Sequence, residues 1–180
     1  DYVRLHELGD ARPSDRLVAL MGDAELDEGN VFEALLEGWK HDVRNLWWVI
    51  DYNRQSLDGV VHDYLFQRIA DFFSSVGWKV VEIKYGKLLE AAFVKPGGKK
   101  LQSWIDNCSN QLYAALTFQG GAAWRTHLEN DLGKVKGIQT LLGTHDDDAL
   151  QKLMTNLGGH DMAATLEAFA SVGDDDTPHC

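Results

Sequence analysis

The stretch Arg16-Leu17-Val18-Ala19-Leu20-Met21-Gly22-Asp23-Ala24-Glu25-Leu26-Asp27-Glu28-Gly29-Asn30 decides the fold. Residues 16–21 are a short apolar run stopped by Gly22, which reads as a buried strand. An acidic loop follows. Asn30 to Lys40 then reads as a helix, with Phe32, Leu35, Leu36 and Trp39 at helical spacing. Asn30 and Glu33 have the spacing of a capping box.

Working outward, Leu46-Trp47-Trp48-Val49-Ile50 is the clearest strand. It is apolar on both faces, as a parallel strand covered by helices should be. Tyr64 to Val76 is a second amphipathic helix, ended by Gly77 at the usual C-terminal position. Trp78-Lys79-Val80-Val81-Glu82-Ile83 reads as a third strand. Residues 15–84 thus alternate strand and helix, the pattern of a parallel α/β sheet. The loop Pro96-Gly97-Gly98-Lys99-Lys100 leads into a helical part, Leu101 to Val172, in which 146–157 and 161–172 form the most legible pair. Asp161 can cap the second of these. The fold class is therefore α/β, a parallel sheet with flanking helices and a helix-rich C-terminal part. Three parallel strands leave exposed edges, which points to missing sequence or an obligate assembly.

Composition narrows the function. The chain has 180 residues, 44% hydrophobic and 25% charged, with 17 Lys and Arg against 28 Asp and Glu, a net charge of −11. That balance argues against nucleic-acid or anionic-membrane partners, which reward clustered cations. No apolar run has the length of a membrane span. Two cysteines, Cys108 and Cys180, make neither a disulfide framework nor a zinc site, and a reducing, cytoplasmic setting fits best.

The chemistry-bearing residues fall at strand ends. Gly22-Asp23-Ala24-Glu25 follows the first strand, and Asn53-Arg54-Gln55 follows the second. Ligands of open parallel sheets bind outside the carboxyl ends of the strands. One carboxylate, one amide oxygen and a nearby backbone carbonyl are hard donors that suit magnesium or calcium and leave room for phosphate oxygens. The residues by themselves read as a magnesium–diphosphate site. Turn-forming polar residues at strand ends are the structural alternative. An EF-hand fails, because Glu28 stands where Gly is required and Ala34 where the bidentate Glu belongs. None of the histidines has metal spacing, and Cys108 reads as a core residue.

Gly22-Asp23-Ala24 followed by Asn53 resembles the thiamine diphosphate motif, which opens with Gly-Asp-Gly and closes with Asn about 30 positions later. The strings 22–30 and 51–59, together with Gly77-Trp78-Lys79-Val80 and Gly158-Gly159-His160-Asp161, resemble the homodimeric type of pyruvate dehydrogenase first component. Transketolase is a close relative in the same superfamily. The resemblance implies that residues 1–180 are part of one diphosphate-binding domain of a larger enzyme, with 101–172 a helical extension of it. It implies that Asp23 and Asn53 give side-chain oxygens, and Gln55 its backbone carbonyl, to magnesium. It implies that Gly22, Ala24 and Glu25 line the diphosphate chiefly through backbone and that Leu57 lies against the cofactor rings. Glu28 and Glu33 match acidic residues that take part in catalysis from near the dimer interface. Ala24 departs from the motif's Gly and is tolerable if its backbone is not left-handed.

The implied reaction is oxidative decarboxylation of pyruvate or another 2-oxoacid, with acyl transfer to lipoyl groups of an acyltransferase partner. The implied enzyme is a homodimer dependent on thiamine diphosphate and magnesium. The resemblance places the glutamate that activates the cofactor in another domain, so this chain alone is expected to bind weakly and not to turn over. Transketolase activity is one alternative, and a non-catalytic interaction module that kept the fold is another. A magnesium phosphohydrolase lacks an evident nucleophile.

Overall fold

The computed structural model describes residues 16–52, 55–56, 59–60 and 65–172, with the backbone alone described at 55, 56, 59, 60 and 65. It is helix-rich, with a small parallel sheet, and so is an α/β fold with a helical C-terminal part. The chain divides into two compact units, residues 1–81 with 172–180, and residues 82–171.

The first unit opens with β1 (Leu17–Gly22), a 3₁₀ turn (Asp23–Asp27) and α1 (Gly29–Lys40). It continues with β2 (Leu46–Asp51), the two-residue strands β3 (Gln55–Ser56) and β4 (Gly59–Val60), and α2 (Leu65–Ser75). β1 and β2 pair in parallel, from Leu17 opposite Leu46 to Gly22 opposite Asp51. β3 and β4 pair antiparallel. Gly77, at φ +87°, follows α2 in the left-handed conformation that only glycine adopts cheaply.

Side chains of opposed parallel residues share a face. One face of the sheet carries Met21, Leu46, Trp48 and Ile50, which pack with Leu35 of α1, Phe73 of α2 and Trp78. Trp48, Phe73 and Trp78 form a triangle of edge-to-face rings with centroids 5.9–6.1 Å apart. Each such pair adds about 0.5–1.5 kcal/mol beyond its burial. The other face departs from the expectation that the run 16–21 is a buried strand: Val18 is 54% and Leu20 74% exposed. On that face the Arg16 guanidinium stacks 4.2 Å from the Trp47 ring centre. The helical stripe of α1 is narrower than its spacing suggests, since Leu35 is buried while Leu36 and Trp39 are exposed.

The run 78–83 joins neither sheet among the described residues, a correction to the expected third strand. Trp78 and Val80 pack into the first unit's core, while the division between the units falls at 81/82. The run's apolar residues divide: Trp78 and Val80 are taken by side-chain packing in the first unit, and Ile83, 37% exposed, lies in the second.

The second unit holds α3 (Lys87–Phe93), α4 (Gly98–Asn107), α5 (Asn110–Gln119), α6 (Gly121–Leu132), α7 (Ile138–Gly143), α8 (Asp147–Met154), a 3₁₀ turn (Gly158–His160) and α9 (Met162–Val172), whose last residue counts with the first unit. Its core is aliphatic around a fully buried Trp124, with Leu89, Leu101, Leu128, Ile138, Leu150 and Met154. Asp146 caps α8 through Ala149 N–H at 2.8 Å. Asp161 caps α9 as expected, accepting from the N–H groups of Ala163 (3.0 Å) and Ala164 (3.2 Å). Its second oxygen accepts from Lys87 N–H at the start of α3 (2.8 Å) and from the Asn156 amide (3.1 Å). One carboxylate thus closes two helix starts, and these bonds hold its pKa below the ordinary Asp value, with the Asn156 amide contributing most. Arg125 of α6 donates to Asp147 (2.7 Å) and to the backbone carbonyls of Leu142 (3.1 Å) and His145 (2.7 Å), fastening α6 to the ends of α7 and α8.

Candidate functional site

Parallel pairing brings the ends of β1 and β2 abreast, since Gly22 faces Asp51 in register. The residues after both strands therefore leave the sheet at one rim. β3, which carries Gln55, lies beside the Asp23–Asp27 turn. The structure thus brings the backbone of Gln55 to the turn that holds Asp23. Asn53 and Leu57 lie outside the described residues.

Asp23 is 6% exposed, the one buried acidic residue among those described. Carboxylates are seldom buried unless hydrogen bonds or a cation offset the loss of water. Leu26, 7% exposed, anchors the same turn in the core. Gly22 leaves β1 with φ −81° and ψ 159°, and its N–H donates to Glu25 Oε1 at 3.1 Å. Glu28 N–H donates to the Glu25 carbonyl at 3.1 Å, closing the turn from the other side. Ala24 does not have a positive φ; Asp42, at φ 52°, is the only described non-glycine residue that does. The motif's Gly is therefore replaced by Ala without backbone strain.

Glu28 and Glu33 are both exposed. Glu28 is the N-cap of α1 and makes no side-chain capping bond. Asn30 stands second in the helix, so the capping box expected of Asn30 and Glu33 does not form. The reason is register: the helix begins at Gly29, where the Glu28 carbonyl already accepts Val31 N–H at 3.1 Å. The capping bond of this region is made at the same spacing by Gly22 and Glu25 instead. The three-residue spacing of Gly22 and Glu25 is the sequence signal for this bond.

The donors described here, a carboxylate and a backbone carbonyl, are hard oxygens that fit magnesium and a diphosphate better than a thiophilic metal. Among the described residues no three His, Cys, Asp or Glu side chains gather into a metal cluster. An Asp–Asn–carbonyl set contains only one such residue.

The second unit has a shallow groove of about 380 Å³ between α5 and α6, lined by Leu116, Gln119, Ala123, Thr126, His127 and Asn130. His127 Nε2 lies 3.4 Å from Asp131 Oδ2, and the same oxygen accepts from Trp104 Nε1 at 2.8 Å. Among the described residues no helix is long and apolar enough to cross a membrane. Cys108 is buried and packed as a core residue.

No protein-family model matches the chain. It is 27% identical over 173 residues, 94% of its own length, to the pyruvate dehydrogenase E1 component of Cupriavidus necator, of which the match covers 19%. It is 29% identical over 170 residues (93% of the chain, 18% of the relative) to the protein of the same name from Buchnera aphidicola subsp. Schizaphis graminum. For Escherichia coli the figures are 28% over 153 residues, 84% and 17%. The relatives of this chain are thus pyruvate dehydrogenase E1 components, and it spans less than a fifth of their length.

Proposed function

We propose that this chain is the diphosphate-side part of a homodimeric pyruvate dehydrogenase E1 component that uses thiamine diphosphate and magnesium. The observation that carries the reading is the buried Asp23 at the C-terminal end of β1, with the Gln55 strand beside its turn. The similarity to E1 components supports the same reading.

In this proposal Asp23 and Asn53 hold the cation through side-chain oxygens, and Gln55 holds it through its backbone carbonyl. Gly22, Ala24 and Glu25 offer backbone to the diphosphate, and Leu57 lies against the cofactor rings. Glu28 and Glu33 reach toward a second subunit, and their exposure at the start of α1 suits a surface that another protomer covers. When bound, thiamine diphosphate supplies the electron sink for loss of carbon dioxide from a 2-oxoacid. The residues of this chain bind and orient; the acyl group passes to lipoyl groups of an acyltransferase partner. The setting is cytoplasmic.

The test is a titration of thiamine diphosphate with magnesium, followed by phosphorus NMR up to millimolar cofactor so that weak binding registers. The chain is compared with Asp23→Ala. Saturable binding lost in the variant supports the site, and equal behaviour of the two refutes it. Carbon dioxide release from pyruvate by the enzyme carrying this sequence separates the proposal from transketolase, which would transfer ketol units without decarboxylation.

A further inference from the structure

Gly22 is the hinge of the proposed site. It is the last residue of β1, and the Asp23 carboxylate hangs from the next residue. With no side chain, Gly22 is the most permissive point in the backbone here. The restraints on the segment include three at named residues. Gly22 is held in register with Asp51, Leu26 is buried three residues after Asp23, and the Gly22 N–H is taken by Glu25 Oε1 at 3.1 Å. The first two fix the ends of the segment. The third reaches across Asp23 from one side to the other, because Glu25 follows it and Gly22 precedes it, and it adds a side-chain tie to the 3₁₀ backbone of the turn. The Glu25 side chain is exposed and lies in no core, so packing does not explain its orientation.

We infer that Glu25 is a positioning residue: its carboxylate clasps the Gly22 amide and thereby fixes where Asp23 presents its oxygens to the cation. This rests on the diphosphate-site reading above, and it gives the Glu25 side chain a part beyond its backbone contact. The clasp needs an acceptor, not a charge, so Gln can replace Glu. It matters most to a cation with strict geometry. Magnesium demands near-ideal octahedral ligands, whereas calcium accepts variable coordination.

The test titrates thiamine diphosphate with magnesium, and separately with calcium, into the wild-type chain, Glu25→Ala, Glu25→Gln and Asp23→Ala, read by phosphorus NMR. Glu25→Ala is expected to weaken magnesium-supported binding roughly five- to tenfold, the effect of one lost hydrogen bond. Calcium-supported binding is expected to stay within about twofold. Glu25→Gln is expected to match the wild type with both ions. Equal losses with both ions would mean general loosening and would overturn the inference, as would wild-type behaviour of Glu25→Ala or failure of Gln to rescue. In each of those cases the loss in Asp23→Ala leaves the site reading standing. Absence of binding by the wild type, or undiminished binding by Asp23→Ala, overturns both. A second measurement needs no ligand: amide exchange at Gly22 should be slowed in the wild type and in Glu25→Gln, and an unprotected Gly22 amide in the wild type overturns the clasp.

Discussion

The adjacent glycines of Gly158-Gly159-His160-Asp161 make opposite predictions. A Cβ added at Gly158 would lie 2.5 Å from the Ile83 carbonyl oxygen, 2.6 Å from Ile83 Cγ2 and 2.7 Å from its carbonyl carbon. Ordinary carbon contacts begin near 3.5 Å, so the overlap is about 1 Å, and most of it is with backbone. The facing segments are tied by Gly158 N–H donating to the Lys84 carbonyl at 3.1 Å and by an antiparallel bridge between Tyr85 and Leu157. Making room in Gly158→Ala means parting them. Overpacking costs about 1–3 kcal/mol and the strained hydrogen bond about 1 kcal/mol more, so the loss is about 2–4 kcal/mol. At Gly159 nothing lies within 4 Å of an added Cβ, and φ is not positive. Gly159→Ala should be neutral or gain up to about 1 kcal/mol by restricting the unfolded chain. Urea unfolding followed by far-ultraviolet circular dichroism measures both, because the helices dominate that signal. The midpoint of Gly158→Ala should fall with its slope unchanged. Equal stabilities for the two variants would refute the reasoning. It would mean either that the segments part at no cost or that the motif's glycines serve something other than close approach.

Other predictions concern polar ties of the second unit. Arg125→Met removes three hydrogen bonds from a charged fork and should cost about 2–4 kcal/mol in urea unfolding, and Arg125→Lys should recover less than half, since one ammonium cannot span Asp147 and two carbonyls. Tyr113 donates to the Met154 carbonyl at 2.9 Å, and burial first, then the Cys108 charge, push its phenol up to about 12. The folded state therefore keeps a proton that the unfolded state releases above about pH 10, so stability from this group is full below that pH and falls as pH rises toward the folded value. Tyr113→Phe should be less stable at neutral pH by about 1 kcal/mol, and its deficit should shrink across that alkaline window. For Asp161 the sign is reversed. Its lowered pKa gives stability that is present above about pH 4 and lost as pH falls through the folded value, so Asp161→Asn and wild type should converge in acid urea titrations.

Much of the site's neighbourhood was legible in the sequence. Apolar runs 16–21 and 46–50 predict two strands, and both form, within one residue of those bounds. The capping residue Asp161 also stands where helix-start chemistry puts it. These features depend on local rules: side-chain period, strand length and the hydrogen-bond needs of helix ends. Residues 53 and 57 lie outside the described residues, and the roles of the site residues remain expectations carried by the motif.

The sequence by itself determined which residues leave the strands, because an apolar run followed by Gly22-Asp23 ends a strand whatever surrounds it. Only the tertiary structure decided that β1 and β2 lie side by side, that 78–83 joins neither sheet among the described residues, and that one face of the sheet carries exposed Val18 and Leu20. It also decided that Glu25 reaches back to Gly22 and that Asp161 reaches forward and back to two helices at once. The physical reason is range. Strand and helix propensities are set within a few residues, whereas strand pairing, burial and a carboxylate's choice among competing N–H donors depend on segments that only folding brings together.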